Sequence, residues 1–186
     1  MAQRSDPPRP SIRRLWRSNQ RDLIDHFLRL DDETRRLRFG RAVDAEFVTT
    51  YALQVLSVDA VIFGAVHDGK LRGVAELRGL LDSWPRSAEA ALSVEADWQD
   101  NGLGEALLTR LIAAARNRGI KKVHMLCLRE NARMRALALK NDAALQFNIS
   151  EVEAELTTPW PTPVSVFREL FGDTDTYIDV LFQQKQ

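Results

Sequence analysis

The spacing of apolar residues changes along the chain between a helical period and the alternation of a strand. Apolar positions three or four residues apart predict helices after Ser18 and after Asp44, with a short turn or helix over 31–40 between them. The longest helical pattern covers 103–115 and stops before Gly119, a residue suited to the left-handed conformation that ends many helices.

Alternating apolar residues predict the strands. Two such runs, 61–66 and 71–78, flank Asp68-Gly69, a pair typical of a tight hairpin turn with positive φ. Further strands are predicted over 12–16, 88–96, 123–128, 144–156 and 177–182. A helix led by Asn131 and a short one over 164–171 complete the order β-α-α-β-β-β-α-β-α-β-α-β. This order predicts a mixed α/β fold, a hairpin-rich sheet with helices packed on it.

Length and charge limit the classes of function. The 186 residues fit one domain, and we expect a disordered tail over 1–10 before a single domain over 11–186. Basic and acidic residues number 26 each, so the net charge of zero gives no electrostatic reason to expect nucleic acid or membrane as a partner. The single cysteine, Cys127, fits a reducing compartment, and the histidines show no metal-ligand spacing. We therefore expect a cytoplasmic protein without a metal.

The most informative stretch is Gln99-Asp100-Asn101-Gly102-Leu103-Gly104, at the start of the longest predicted helix. The first main-chain N–H groups of a helix have no partner within it, so this segment can cradle a phosphate. A dinucleotide-binding fingerprint would need a third glycine at Leu107, and a P-loop would need Gly-Lys-Ser/Thr, which does not occur. On its letters alone, the segment is either a phosphate site or a plain turn into a helix.

The elements around this segment resemble the GNAT superfamily of acyl-CoA-dependent N-acyltransferases. The family signature R/Q-x-x-G-x-G/A follows the fourth strand, as residues 99–104 do here, and "NARMRALALK" is similar to the family's N-x-x-x-x-x-L-x-x-K segment. The resemblance spans roughly residues 12–156, and "LDDETRRLRFG" and "AEAALSV" resemble the bacterial protein-lysine acetyltransferases. It implies a central, mostly antiparallel sheet splayed between strands 4 and 5, with helices on both faces.

The resemblance also implies acetyl-CoA as cosubstrate. In this family the pyrophosphate of CoA lies on the main-chain amides of the glycine loop, here Leu103 to Ala106, and the pantetheine arm inserts between strands 4 and 5. The amide of Val94 would also face the thioester oxygen, where negative charge develops. The residues implied in binding are Leu92, Val94, Gln99, Asn101, Gly102, Leu103, Gly104, Glu105, Ala106 and Asn131. A helix N-cap role for Asn131 is compatible with this one.

Transfer to an amine needs a base, because a lysine amine titrates near pH ~10.4 and is protonated at neutral pH. The family often places this base on the fourth strand, where Glu89 stands at the "AE" position. Alternation puts Glu89, Ala91 and Ser93 on one face of that strand. Glu76 on the preceding strand is the reserve candidate for the same cleft. The alternative for either glutamate is an ordinary solvated carboxylate.

Two departures from the family pattern keep other functions open. The tyrosine that many members use to protonate the leaving thiolate is absent near Ala138, and the usual Gly-Phe is replaced by Asp142-Ala143. We expect an N-acetyltransferase in which the amine, of a protein lysine or a small molecule, attacks acetyl-CoA directly in a ternary complex. The alternatives are a catalytically silent acyl-CoA-binding regulatory module and a nucleotide-phosphate binder unrelated to CoA. Acyl chain preference and oligomeric state stay open, and a homodimer is compatible with the sequence.

Overall fold

The computed structural model describes residues 10–56, 59–79, 86–162 and 166. Within them the strands are β1 (Ser11–Leu15), β2 (Ala60–His67), β3 (Lys70–Arg78), β4 (Ser87–Val94), β5 (Lys122–Leu128), β6 (Ala144–Phe147) and β7 (Glu151–Thr157). The α-helices are α1 (Gln20–Arg29), α2 (Asp32–Phe39), α3 (Ala45–Val55), α4 (Leu103–Asn117) and α5 (Ala132–Lys140). Short 3₁₀ turns follow β1 at Arg17–Asn19 and β4 at Ala96–Trp98.

All strands belong to one sheet in the order β1-β2-β3-β4-β5-β7-β6. Every neighbouring pair is antiparallel except β4 and β5, which run parallel. These two strands pair only where 87–89 meet 122–124, and beyond that point they separate. The predicted mixed sheet, mostly antiparallel and splayed between strands 4 and 5, is therefore confirmed.

Two apolar cores lie on opposite faces of the sheet, because side chains alternate along each strand. Leu107, Leu108 and Leu111 of α4 are fully buried on one face. Leu23 and Phe27 of α1 are fully buried on the other. Each such side chain contributes about 1.5–3 kcal/mol to folding, so both helical layers hold the sheet in place. Helices on both faces, as predicted, are confirmed.

The prediction of one continuous strand over 144–156 is wrong, because this segment forms two antiparallel strands, β6 and β7, joined by a turn. Asn148 N donates to Glu151 O at 2.9 Å, which closes the turn. Ile149 continues the apolar alternation through the turn but is 97% exposed, so the alternation gave no sign of the break between the two strands.

The predicted hairpin at Asp68-Gly69 is confirmed, with φ of 51° at Asp68 and 71° at Gly69. The predicted strand 177–182, the helix 164–171 apart from Val166, and the tail 1–10 apart from its last residue lie outside the described residues.

Candidate functional site

The turn between β4 and α4 presents unpaired main-chain amides to a cavity. Gly102 has a φ of 79°, a left-handed conformation that favours glycine, and α4 begins at the next residue. Ala106 N donates to Gly102 O at 3.0 Å, so the helical ladder starts there. The N–H groups of Leu103, Gly104 and Glu105 come before it and have no carbonyl partner within the helix. These three amides and the helix dipole create a positive potential at one point.

A cavity of about 460 Å³, the first cavity, opens at this helix end. Gly104 borders it, and a Cβ built on this residue would meet only Leu137 Cδ2 within 4 Å, at 3.8 Å. A large side chain here would therefore fill the cavity without striking main chain. The predicted binding residues that line it are Leu92, Val94, Gln99, Gly102, Gly104, Glu105 and Asn131. The side chains of the other three lie elsewhere: Leu103 is buried in the core, and Asn101 and Ala106 are exposed.

The free edge of β4 extends this row of donors. Glu95 N donates to Arg72 O at 2.9 Å, and successive residues of a strand direct their main-chain groups to opposite edges. The N–H groups of Leu92 and Val94 therefore point toward β5, from which β4 has separated at this level. Gln99 Nε2 donates to Val94 O at 2.8 Å and ties the turn to the strand end. Among the described residues this stretch of β4 has no partner strand on the β5 side, so the gap offers a strand edge to an extended ligand.

Two cations on one side of α5 border the first cavity. Arg133 binds Asp100 in the turn through two hydrogen bonds of 3.1 Å, and Lys140 Nζ lies 2.6 Å from Glu105 Oε2. Seven residues, two helical turns, separate the two cations, which places them on the same side of the helix. Their side chains are 63% and 64% exposed, so both can turn toward an anion. The sequence prediction missed them, although this spacing on the helix led by Asn131 was the available signal.

Asn131 caps α5 and faces the first cavity. Its Oδ1 accepts a hydrogen bond from Met134 N at 3.0 Å, which satisfies one of the orphan amides of the helix start. Its Nδ2 has no hydrogen-bond partner among the described residues. The capping oxygen therefore fixes the side chain while the amide nitrogen stays available to a ligand, so both predicted roles fit one geometry.

Glu76 is fully buried and has two partners. Arg38 Nη2 lies 2.5 Å from Glu76 Oε1, and Tyr51 Oη donates to Glu76 Oε2 at 2.5 Å. Burial, together with the negative charge of Glu76, raises the pKa of Tyr51, so the phenol stays protonated and acts as a donor. Both oxygens of Glu76 are thus engaged in a structural network that joins α2, α3 and β3.

Glu89 lies on the same face of the sheet as Glu76 but in a different setting. Its side chain is 54% exposed, and its Oε1 lies 3.5 Å from Arg78 Nη2. Neither glutamate lines the first cavity, whereas Ala91 and Ser93, further along the same face of β4, do. The structure therefore places Glu89 just past the end of the first cavity, open to water and to a ligand.

A buried polar network that the sequence did not reveal supports this part of β4. His26 Nε2 lies 2.9 Å from Ser93 Oγ, and His26 Nδ1 lies 3.4 Å from Glu95 Oε1. Burial lowers the pKa of His26, so the imidazole is neutral at pH 7. Burial alone would raise the pKa of Glu95, but the close approach of His26 and the hydrogen bonds from Arg72 and Arg29 outweigh it and bring the value to about 2. Sixty-seven positions separate His26 from Ser93, so no local pattern could connect them.

Neither a tyrosine nor a thiolate appears in the lining of the first cavity in the described part of the chain. Ala138, at the position expected for the family tyrosine, is 1% exposed. Cys127 lines the cavity, and burial raises the pKa of its thiol, so it stays protonated at neutral pH. Among the residues described, no group of three or more histidine, cysteine or acidic side chains could hold a metal ion. Nor does any helix among them combine the length and apolar character that crossing a membrane requires.

Comparisons with known proteins agree with this geometry. The model of the Acetyltransferase (GNAT) family matches residues 21–142, about two thirds of the chain. The GNAT domain of S. lividans PAT is 22% identical, with a TM-score of 0.67 over 78% of this chain and 89% of that one. The PaiA N-acetyltransferase of Thermoplasma acidophilum, solved in complex with coenzyme A, is 18% identical, with a TM-score of 0.60 over 79% and 98% of the two chains. The ribosomal-protein-S18-alanine N-acetyltransferase of Escherichia coli is 18% identical, with a TM-score of 0.63 over 82% and 96%. Among curated proteins, none matches this sequence.

Proposed function

We propose that this chain, which belongs to the acetyltransferase (GNAT) family, transfers an acetyl group from acetyl-CoA to a primary amine. The amine nitrogen, of a protein lysine or a small molecule, attacks the thioester carbonyl directly while both substrates are bound. The sequence similarity to bacterial protein-lysine acetyltransferases favours a protein lysine. A cytoplasmic location is part of the proposal, supported by a free and buried Cys127.

The main support for this proposal is that the free edge of β4 and the first amides of α4, which lack partners within the helix, border the same cavity. The amides of Leu103, Gly104 and Glu105 suit the pyrophosphate of CoA, with Arg133 and Lys140 beside them. The N–H groups of Leu92 and Val94 suit the pantetheine arm, which carries amides of its own. An anion site joined to a strand edge matches a ligand with a diphosphate at one end and a peptide-like arm at the other.

Within this proposal Glu89 is the base and Glu76 is not. A base must reach the acceptor nitrogen and must have a free oxygen to receive its proton. Glu89 is half exposed at the end of the first cavity, whereas both oxygens of Glu76 are bound by Arg38 and Tyr51. The carboxylate of Glu89 frees the amine lone pair, and the amides of β4 stabilise the negative charge that develops on the thioester oxygen.

A silent acyl-CoA-binding module is the second candidate, favoured by the buried Ala138 where the family tyrosine is expected. Calorimetric titration with acetyl-CoA, repeated with ATP and with NAD as competitors, tests the donor site common to both candidates. We expect acetyl-CoA to bind, and neither ATP nor NAD to displace it at equal concentration. Displacement by either nucleotide would favour a general nucleotide-phosphate binder, and no binding of acetyl-CoA would overturn both candidates.

A further inference from the structure

A second cavity, of about 490 Å³, lies on the same strands as the first. Its lining includes Ser87, Ala88 and Glu89 of β4 and His124 and Leu126 of β5. Leu126 lines both cavities and is 54% exposed. The second cavity covers the part of β4 and β5 where the strands pair, and the first covers the part where they separate. The two cavities therefore meet at the point where the strands part.

Four ionisable side chains form a row across the sheet at this point. The strand registers align Arg78 with Glu89, Glu89 with His124, and His124 with Glu155. Side chains at the same level of neighbouring strands point to the same face, so these four are side by side. Val123 and Met125, which alternate with His124, are fully buried in the core of the opposite face. The row thus borders the open cavity.

A carboxylate orients the ring of His124 through Nδ1, an arrangement that suits Nε2 to accept a proton. Its Nδ1 lies 2.9 Å from Glu153 Oε1, which keeps the ring proton on Nδ1 and leaves a lone pair on Nε2. Its Nε2 is 4.0 Å from Glu155 Oε2, too far for a hydrogen bond. The side chain of His124 is 32% exposed, so a ligand in the cavity can reach the ring.

The charges that face His124 favour a cationic ligand. Three carboxylates surround it, those of Glu89, Glu153 and Glu155. Two cations partly balance them: Arg78 lies 3.5 Å from Glu89, and Lys122 lies 3.0 Å from Glu155. These three carboxylates and two cations together carry one net negative charge, which stabilises an ammonium group.

We propose that the second cavity binds the acceptor as a cationic amine and that His124 Nε2, oriented by Glu153, accepts one of its protons. The inference rests on the proposed acetyl transfer. An ammonium group loses one proton before its nitrogen attacks the carbonyl carbon, and another as the C–N bond forms and the C–S bond breaks. One of the two protons ends on the sulfur of CoA and the other passes to solvent. Glu89 and His124 supply two adjacent acceptors for these two losses.

The test compares His124→Gln and Glu153→Gln with a control, His67→Gln, at a half-buried histidine outside both cavities. Thiol release from acetyl-CoA is measured against pH with cadaverine, which is cationic, and with aniline, which is neutral at pH 7. We expect His124→Gln to lower kcat at least tenfold, to change the acidic limb of the pH profile and to leave acetyl-CoA affinity unchanged. Glu153→Gln should have a smaller effect, and His67→Gln none. Cadaverine should be the better acceptor for the wild type.

Chemical rescue separates proton transfer from a structural role. Imidazole added to His124→Ala should restore part of the lost rate if the ring only moves a proton. A His124→Gln protein with unchanged kcat and pH profile, beside an active wild type, would overturn this inference and leave the proposed function standing. A wild type that binds acetyl-CoA but releases no thiol with any amine would overturn both.

Discussion

Arg38 and Glu76 form a buried ion pair in which Nη2 and Oε1 are 2.5 Å apart and both side chains are at least 90% buried. Replacing Glu76 by Gln leaves the guanidinium of Arg38, whose side chain is only 7% exposed, without its counter-charge. Because breaking one half of a buried pair is strongly destabilising, we predict a loss of about 3 kcal/mol in the free energy of unfolding. Denaturant unfolding of the Glu76→Gln protein measures it.

Glu89→Gln should lower turnover strongly and stability only slightly. Its ion pair with Arg78 is exposed, so its loss should cost under about 1 kcal/mol of stability. Turnover should fall by about 100-fold, because the proposed base is gone, while acetyl-CoA affinity stays the same. Steady-state kinetics beside calorimetry separate the two quantities. An unchanged pH profile of turnover would remove Glu89 as the base.

Gly104 tests the placement of the CoA pyrophosphate. A Cβ at this position has room, with Leu137 Cδ2 at 3.8 Å, so Gly104→Ala should fold and still bind acetyl-CoA, though more weakly. Gly104→Trp should fill the first cavity and abolish binding, with the free energy of unfolding within about 1 kcal/mol of the wild type. Calorimetry and thermal unfolding of the matched pair check both. If Gly104→Trp bound acetyl-CoA with full affinity, the pyrophosphate would not bind at this helix start.

The acid side of the stability profile depends on Glu95. Its pKa is about 2 in the folded protein, below the value of about 4.3 expected for an unfolded chain. The carboxylate therefore stabilises the fold fully above pH ~4.3, and this contribution is lost as the pH falls toward 2. We predict that the wild type loses about 2 kcal/mol more than Glu95→Gln between these pH values. Glu46→Gln, at an exposed carboxylate of α3, should follow the wild type.

Asp142 adopts a left-handed conformation, with a φ of 60°, where the family usually has glycine. The departure seen in the sequence therefore preserves the turn that ends α5 but places a side chain in a strained region. We predict that Asp142→Gly raises the free energy of unfolding by about 0.5 kcal/mol and that Asp142→Ala lowers it, since alanine lacks a side chain that supports this conformation. If Asp142→Ala had the higher free energy of unfolding and Asp142→Gly the lower one, the turn would not be strained. Denaturant unfolding of both variants measures the two values.

The features that could be predicted from the sequence are those set by residues adjacent along the chain. The hairpin at Asp68-Gly69, the start of α4 after Gly102 and the cap at Asn131 each follow from the chemistry of a few adjacent positions. The networks of His26 with Ser93 and of Arg38 with Glu76 join elements 67 and 38 positions apart. Only the folded sheet brings such groups together, so a single sequence carries no signal for them.

The same limit applies to the acceptor side of the site. Glu89 could be selected from its strand, but its neighbour His124 comes from a strand that pairs with β4 over three residues only. Glu153, which holds His124, lies on β7, within a segment whose alternation predicted one continuous strand. The proposed donor side could be put forward from the sequence because one turn builds it, and the proposed acceptor side could not because three strands build it.

Release of free thiol from acetyl-CoA, in the presence of a panel of amines and of lysine-bearing peptides, tests acetyl transfer most directly. The wild-type protein should release thiol above the background rate with at least one acceptor, with one acetylated amine formed for each thiol. Glu89→Gln should release it far more slowly at the same acetyl-CoA occupancy. Tight binding of acetyl-CoA with no thiol release for any acceptor would exclude acetyl transfer and leave a binding module in place of an enzyme.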